Sequence, residues 1–367
     1  MQPATTAGAR DRPADARLVA VPTPEPVPEL PAPGDVHVVA LPLVVRFRGL
    51  VVREALLVRG PVGWGEFAPF VEYDDHEASR WLAACLEASH LGHPVPLRDS
   101  VEVNATVPAV PAADVAAVLA RFPGCRTAKV KVAERGQGLQ DDLDRVAAVR
   151  DGLGRGGRVR VDANGGWDLD QAVDALRLLA VGGLDYAEQP VATVAELVRL
   201  RTRLAAAHVD VRVAADESVR RAEDPLAVAL AGAADVVVVK VAPLGGVTRL
   251  LEVAHVLRER HGVEVTVSSA LDTSVGLAAG VAAAAALPGP VQAAGLATAA
   301  LLGADVTTAP VLPVDGHVSV RAVVADPDLL ARHAAPGPRQ QWWRERLVRC
   351  HALLAGGGSG AGGMIDA

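Results

Sequence analysis

From residue 100 onward, short runs of β-branched apolar residues alternate with Ala/Leu/Arg-rich stretches whose apolar positions have helical spacing. Candidate strands end near Thr106, Lys131, Asp162, Glu188, Asp216, Lys240, Ser268 and Gly295. From Lys131 onward the steps between these ends are 31, 26, 28, 24, 28 and 27 residues, each the length of one β-α unit. Eight parallel strands at that spacing predict an α/β protein with a TIM-type barrel over residues 101–310, more economically than a doubly wound sheet.

The pattern before the barrel is different. Val36 to Phe70 carries β-rich runs with turns, and His76 to Ser89 reads as an amphipathic helix, so residues 36–100 are expected to form an α+β module. Residues 311–345 are expected to return to that module, and 346–367 to be a helix end and a flexible Gly-rich tail. Residues 1–35 hold eight prolines and no apolar run long enough for a signal-peptide core, which predicts a disordered extension. The 32 uncharged residues between Asp272 and Asp305 are Ala/Gly-rich and broken by Pro288-Gly-Pro290, so they read as a buried helix and strand, not a membrane span.

Composition narrows the function. At 367 residues and 50% hydrophobic, the chain can bury a large core and reads as a soluble globular protein. A net charge of −7 with 3% aromatics argues against a nucleic-acid groove, which needs a basic stripe and stacking surfaces. Cys85, Cys125 and Cys350 are scattered singly and read as free thiols in a reducing, cytoplasmic setting.

Of 36 basic residues only Lys129, Lys131 and Lys240 are lysines. Arginine stays protonated, whereas lysine can carry a proton both ways, so these three point to proton chemistry. Lys129 and Lys131 share one strand face, where neighbouring ammonium groups are expected to depress each other's pKa. The next three strands each end on a carboxylate, Asp162, Glu188 and Asp216. Three in register would repel unless a hard divalent cation lay among them, and oxygen-only ligation suits Mg²⁺. Asn164, on the face of Asp162, is expected to orient a ligand or a metal-bound water, and Glu217 to stand behind the ligands. Lys240 ends the sixth strand and is expected to face Lys131 across the barrel mouth. Lysines flanking a metal suit proton abstraction beside a carboxylate.

The order Lys129-Val-Lys131, Asp162-Ala-Asn164, Glu188-Gln-Pro190, Asp216-Glu-Ser218 and Lys240, behind a small α+β module, resembles the enolase superfamily in its muconate-lactonising-enzyme-like branch. The segments Phe47-Arg-Gly-Leu50, Trp64 to Phe70, Val103 to Ala109 and Val239 to Gly246 are most similar to the o-succinylbenzoate synthase family of actinobacterial type. The resemblance covers residues 36 to 345. It implies a modified (β/α)7β barrel with an N-terminal capping domain, and Mg²⁺ with Mn²⁺ as the alternative ion. It also implies a small carboxylate substrate, dehydrated through a metal-stabilised enediolate in menaquinone biosynthesis. Carried over by motif, Lys131 abstracts the proton, Lys240 stays protonated, Asp162, Glu188 and Asp216 bind the metal, and Lys129 meets the substrate carboxylate. Ser268, Ser269 and Gly295 at later strand ends, with the loop from Arg46 to Leu50 and Arg46 as its named contact, would form the succinyl pocket.

Two alternatives stay open at this point. N-succinylamino-acid (N-acylamino-acid) racemisation can use the same two lysines, and a non-catalytic binding protein could keep the barrel. Dipeptide epimerisation is disfavoured, because residues 291–298 lack the Asp-x-Asp expected on the eighth strand.

Overall fold

A computed structural model describes residues 27–220 and 225–357. Three antiparallel strands open the chain, β1 (Val36–Phe47), β2 (Leu50–Arg59) and β3 (Trp64–Phe67). Helix α1 (Asp75–His90) packs on them, its first turn capped by Asp74, which accepts from Glu77 N at 2.7 Å.

Then come β4 (Ser100–Glu102), β5 (Ala105–Val107), α2 (Val115–Leu119), β6 (Thr127–Lys131), α3 (Leu139–Leu153), β7 (Arg158–Asp162) and α4 (Leu169–Leu179). They are followed by β8 (Tyr186–Glu188), α5 (Val194–Ala206), β9 (Val213–Ala215), α6 (Glu217–Arg220), α7 (Ala227–Leu230) and β10 (Val236–Val239). The barrel finishes with α8 (Val241–Leu244), α9 (Val247–His261), β11 (Glu264–Val267) and α10 (Ser274–Ala286). Strand β12 (His317–Ser319) pairs with β4, and α11 (Pro327–Arg332) and α12 (Gly337–Gly357) end the described chain.

Strands β5 to β11 form one parallel sheet in sequential order. Residues 294 and 295 join its edges, pairing in parallel with Val103 on one side and Ser268 on the other, so the ring closes. The seventh and eighth staves are therefore linked by short bridges where the spacing predicts a strand. Because a parallel barrel buries both strand faces, β6 is buried at every position and β10 is four consecutive buried valines. Helix α10 is buried almost all round, which explains its lack of charge without any membrane. Among the described residues, no helix is long and apolar enough to cross a membrane.

Alternation along each strand sets what the barrel contains. On β7 the inward positions are Arg160 and Asp162. Arg160, fully buried, fills the barrel floor, donating to Asp185 Oδ2 at 2.7 Å and Ala293 O at 2.6 Å and lying 4.6 Å from the Tyr186 ring centroid. Asp162 sits one repeat higher, at the mouth.

An aromatic cluster of Phe67, Phe70, Tyr73, Trp81 and Trp343 joins α12 to the N-terminal sheet and α1. The boundary expected at residue 345 thus falls inside α12. Residues 27–35, grouped by proline content with the disordered extension, lie along this helix: His351 bonds Pro28 O at 2.7 Å and Arg344 donates to Pro33 O at 3.3 Å. The helix supplies donors to the carbonyl groups of this proline-rich segment, which forms no strand of its own. The rest of the predicted extension and the tail beyond residue 357 lie outside the described residues. Cys85, Cys125 and Cys350 are free thiols.

Candidate active site

The carboxyl ends of the barrel strands meet the turn between β1 and β2. Between them lies a pocket lined by Lys129, Lys131, Asp162, Asp216 and Lys240, with Ser268, Ser269 and Gly295 on the far wall. The structure thus brings together residues from the sequence-predicted catalytic, metal and substrate-contact sets. Arg46 is the exception among the substrate contacts: it is exposed and lines an outer cavity instead.

Each ammonium group is engaged by a carboxylate. Lys131 Nζ donates to Asp162 Oδ2 at 2.5 Å and to Asn164 Oδ1 at 2.6 Å. Lys129 Nζ lies 2.8 Å from Glu188 Oε1 and 3.1 Å from Asp162 Oδ2. Across the pocket, Lys240 Nζ donates to Asp216 Oδ2. Asn164 also donates to Glu217 Oε1 at 3.1 Å, which places Glu217 behind the strand-end carboxylates.

The expectation that Lys129 and Lys131 depress each other holds for one of them. Burial lowers the Lys131 pKa, and the Lys129 charge lowers it further, against the pull of Asp162. Burial also opposes charge on Lys129, but the Glu188 and Asp162 carboxylates outweigh it and hold the Lys129 pKa well above the ordinary lysine value. Lys129 sits between two carboxylates and stays charged, whereas Lys131 leans on one. Asp162, which burial alone would raise, is pulled well below the usual range by Lys131 and Lys129. Glu188 goes the other way: burial, then repulsion from Asp162, pushes it up to about 7.

Among the described residues the three carboxylates are not assembled as a ready cation cage, because their oxygens are turned onto lysines. Their chemistry nevertheless fits a hard divalent ion. All are oxygen donors at adjacent strand ends, all are buried, and Glu188 Oε2 is a buried acceptor with no hydrogen-bond partner among the described residues.

The far wall is small and polar by construction. Ser269 Oγ bonds Gly295 O at 3.0 Å and Thr298 Oγ1 at 2.7 Å, and any side chain at Gly295 would run into the Ser268 hydroxyl. Phe47 and Arg48, from the loop that the resemblance placed at the succinyl pocket, also line it, together with Thr106, Phe70, Leu271 and Thr298, to which the sequence assigned no role. Phe47 lies 5.5 Å below the Lys131 ammonium, ring centroid to Nζ. Of the latter four, only Thr298 carried a signal, as a lone hydroxyl in an apolar run next to the eighth strand end.

Known proteins resemble this chain over most of its length. Residues 38–89 match the family model described as enolase N-terminal domain-like, and residues 112–326 that described as enolase C-terminal domain-like. The o-succinylbenzoate synthase of Mycolicibacterium smegmatis is 56% identical over 319 residues, 87% of this chain and 95% of that protein. That of Mycobacterium tuberculosis H37Rv is 54% identical over 87% of this chain and 94% of its own length. The chain belongs to the enolase superfamily, among the o-succinylbenzoate synthases. The fold of this family recurs in the muconate lactonizing enzyme of Pseudomonas fluorescens, at TM-score 0.69 and 23% identity over 82% of this chain and 98% of that one. Enzymes of the family depend on a divalent metal.

Proposed function

We propose that the chain dehydrates 2-succinyl-6-hydroxy-2,4-cyclohexadiene-1-carboxylate to o-succinylbenzoate, a step of menaquinone synthesis. The observation that carries this reading is the 54–56% identity to o-succinylbenzoate synthases over 87% of the chain, joined to a pocket that gathers all three of the chain's lysines, Lys129, Lys131 and Lys240.

The reaction removes a proton from the ring carbon bearing the carboxylate and hydroxide from its neighbour, leaving an aromatic ring and water. Lys131, whose pKa burial lowers, takes the proton as a neutral amine. Its ammonium form then returns that proton to the departing hydroxyl on the same face, so one side chain serves both halves of a syn-elimination. Lys240 keeps its proton and places positive charge opposite, where negative charge grows on the substrate carboxylate. Lys129 stays charged and sets the orientation of Glu188 and Asp162. Asp162, Glu188 and Asp216 would hold Mg²⁺. When bound, the ion supplies Lewis-acid stabilisation of charge on the substrate carboxylate. Asn164 and Glu217 brace this set through the Lys131–Asn164–Glu217 chain of hydrogen bonds.

The test is an ultraviolet assay of diene loss with Mg²⁺ and again with EDTA. Metal-dependent loss with o-succinylbenzoate as product supports the reading. No loss, with racemisation of an N-succinylamino acid in a parallel polarimetric run, would transfer the same lysines to the other reaction.

A further inference from the structure

Lys240 is carried by a segment that holds itself weakly. It is the N-cap of α8, a helix of one turn, and its carbonyl oxygen accepts from Leu244 N at 3.4 Å, long for such a bond. Gly245 at φ 94° and Gly246 at φ 144° then turn the chain into α9. Gly246, the N-cap of α9, has no side chain to satisfy the first N–H groups of that helix. Packing leaves slack in the same place. A cavity of about 30 Å³ lies between α1 and α8, lined by Trp81, Ala84 and Ala88 on one side and Val241 and Ala242 on the other.

The missing cap comes from the N-terminal module. Glu87, in the last turn of α1, places Oε1 2.7 Å from Val247 N and 3.2 Å from Thr248 N, so one of its carboxylate oxygens accepts from the first two N–H groups of a barrel helix. The same contact explains the glycine, because a Cβ at Gly246 would run into Glu87 Oε2. A Ser, Thr, Asp or Asn at the N-cap would satisfy these donors from within the helix itself. Here the cap crosses between two parts of the fold, and α1 packs on the sheet whose β1–β2 turn covers the pocket. Burial pushes the Glu87 carboxyl up against these two N–H donors, so an uncharged acceptor can stand in for it.

We infer that Glu87 is a positioning residue for Lys240: by capping α9 from α1 it fixes the turn that aims the Lys240 ammonium into the pocket. Glu87 itself does not line the pocket. The inference rests on the proposed function for what Lys240 does there, and adds to it a link between the seating of the N-terminal module and one of the two opposed lysines.

The chain has three lysines, all in the pocket, which makes the test direct. The full chain, supplied with Mg²⁺ and labelled with carbon-13 at the lysine ε-carbon, should give three ε-methylene signals, assigned by the loss of each in Lys129→Arg, Lys131→Arg and Lys240→Arg. Glu87→Met keeps the bulk and the helix propensity of α1 but accepts no hydrogen bond, and Glu87→Asp keeps the charge one methylene too short. Each should displace or broaden the Lys240 signal, leave those of Lys129 and Lys131 in place, and lower kcat for the diene by about 10- to 100-fold with KM within about twofold. Glu87→Gln should return the signal and bring kcat to within about threefold of wild type, since its carbonyl oxygen still accepts. If the methionine variant does not fold, the aspartate variant is read alone. A Lys240 signal unmoved in the folded variants overturns the inference, as do three signals that move together, an unchanged kcat, or a glutamine variant no better than the others. A wild type that leaves the diene intact sinks the proposed function instead, and the lysine signals still decide whether Glu87 holds Lys240.

Discussion

Arg145, fully buried on α3, donates at 2.9 Å to the carbonyl oxygen of Lys131. The same guanidinium donates to Val110 O at 2.6 Å and Asp142 Oδ1 at 2.8 Å, and Asp142 in turn accepts from Ala133 N at 2.9 Å. The backbone under the proposed base and the loop that follows it are therefore built on one buried ion pair. Arg145→Met removes the cation and leaves Asp142 buried without it, which should cost about 3–5 kcal/mol in urea denaturation. Arg145→Lys should recover little, since one ammonium cannot reach three acceptors at fork geometry. A loss below about 1 kcal/mol would show that the loop is held by something else.

Lys131→Ala and Lys240→Ala should each lower kcat by about 100- to 10,000-fold, the usual contribution of a positioned proton carrier, with unchanged far-ultraviolet circular dichroism. Lys131→Arg should be as poor as the alanine variant, because a guanidinium does not release its proton near neutrality. Near-wild-type kcat in either alanine variant would rule out the two-lysine mechanism.

How much of this was legible beforehand follows from where each property resides. The strand ends predicted at Lys131, Asp162 and Glu188 match those observed, because each closes an apolar run whose inward side chain is set by alternation alone. The pocket's polar set was legible for the same reason. The unequal charging of Lys129 and Lys131 was not, since it depends on Glu188 reaching one ammonium and not the other. Nor was the role of Arg145, one arginine among 33, which becomes specific only when α3 packs beneath the loop. Arg48 and Phe47 were visible only as members of the Arg46–Leu50 loop that the resemblance placed at the succinyl pocket.

Glu188 gives the metal prediction its sign. Its folded pKa, about 7, lies above the unfolded value, so its contribution to the stability of the metal-free protein is present below about pH 4.5 and lost as pH rises through 7. A bound divalent ion replaces the proton, so below pH 7 it must displace one and above pH 7 it need not. Mg²⁺ should therefore raise Tm by more at pH 8 than at pH 6, measured by differential scanning calorimetry at fixed ion concentration. Glu188→Gln should abolish most of the Mg²⁺ shift at both values. Equal shifts at pH 6 and pH 8 would mean that Glu188 is not the titrating ligand.

Glu66 carries a comparable argument away from the pocket. It reaches from β3 to the start of α10, where Oε2 accepts from Thr273 Oγ1 at 2.6 Å, Thr273 N at 3.1 Å and Gly276 N at 3.0 Å. Oε1 makes only a 3.3 Å contact with Thr273 N. Burial, then the neighbouring Asp272 charge, pushes the Glu66 pKa up to about 8, so its stabilising contribution is present below about pH 4.5 and lost as pH rises through 8. An amide can keep the Oε2 bonds and put its nitrogen at the weakly used Oε1 position, without a charge that burial opposes. Glu66→Gln should thus be within about 1 kcal/mol of wild type at pH 7 and gain on it towards pH 9. Glu66→Ala strands two buried backbone donors and a hydroxyl and should lose about 2–4 kcal/mol at pH 7. Urea denaturation at the two pH values reads both. A glutamine variant that falls further behind wild type as pH rises would show that the carboxylate is held by its ionised form, against the sign argued here.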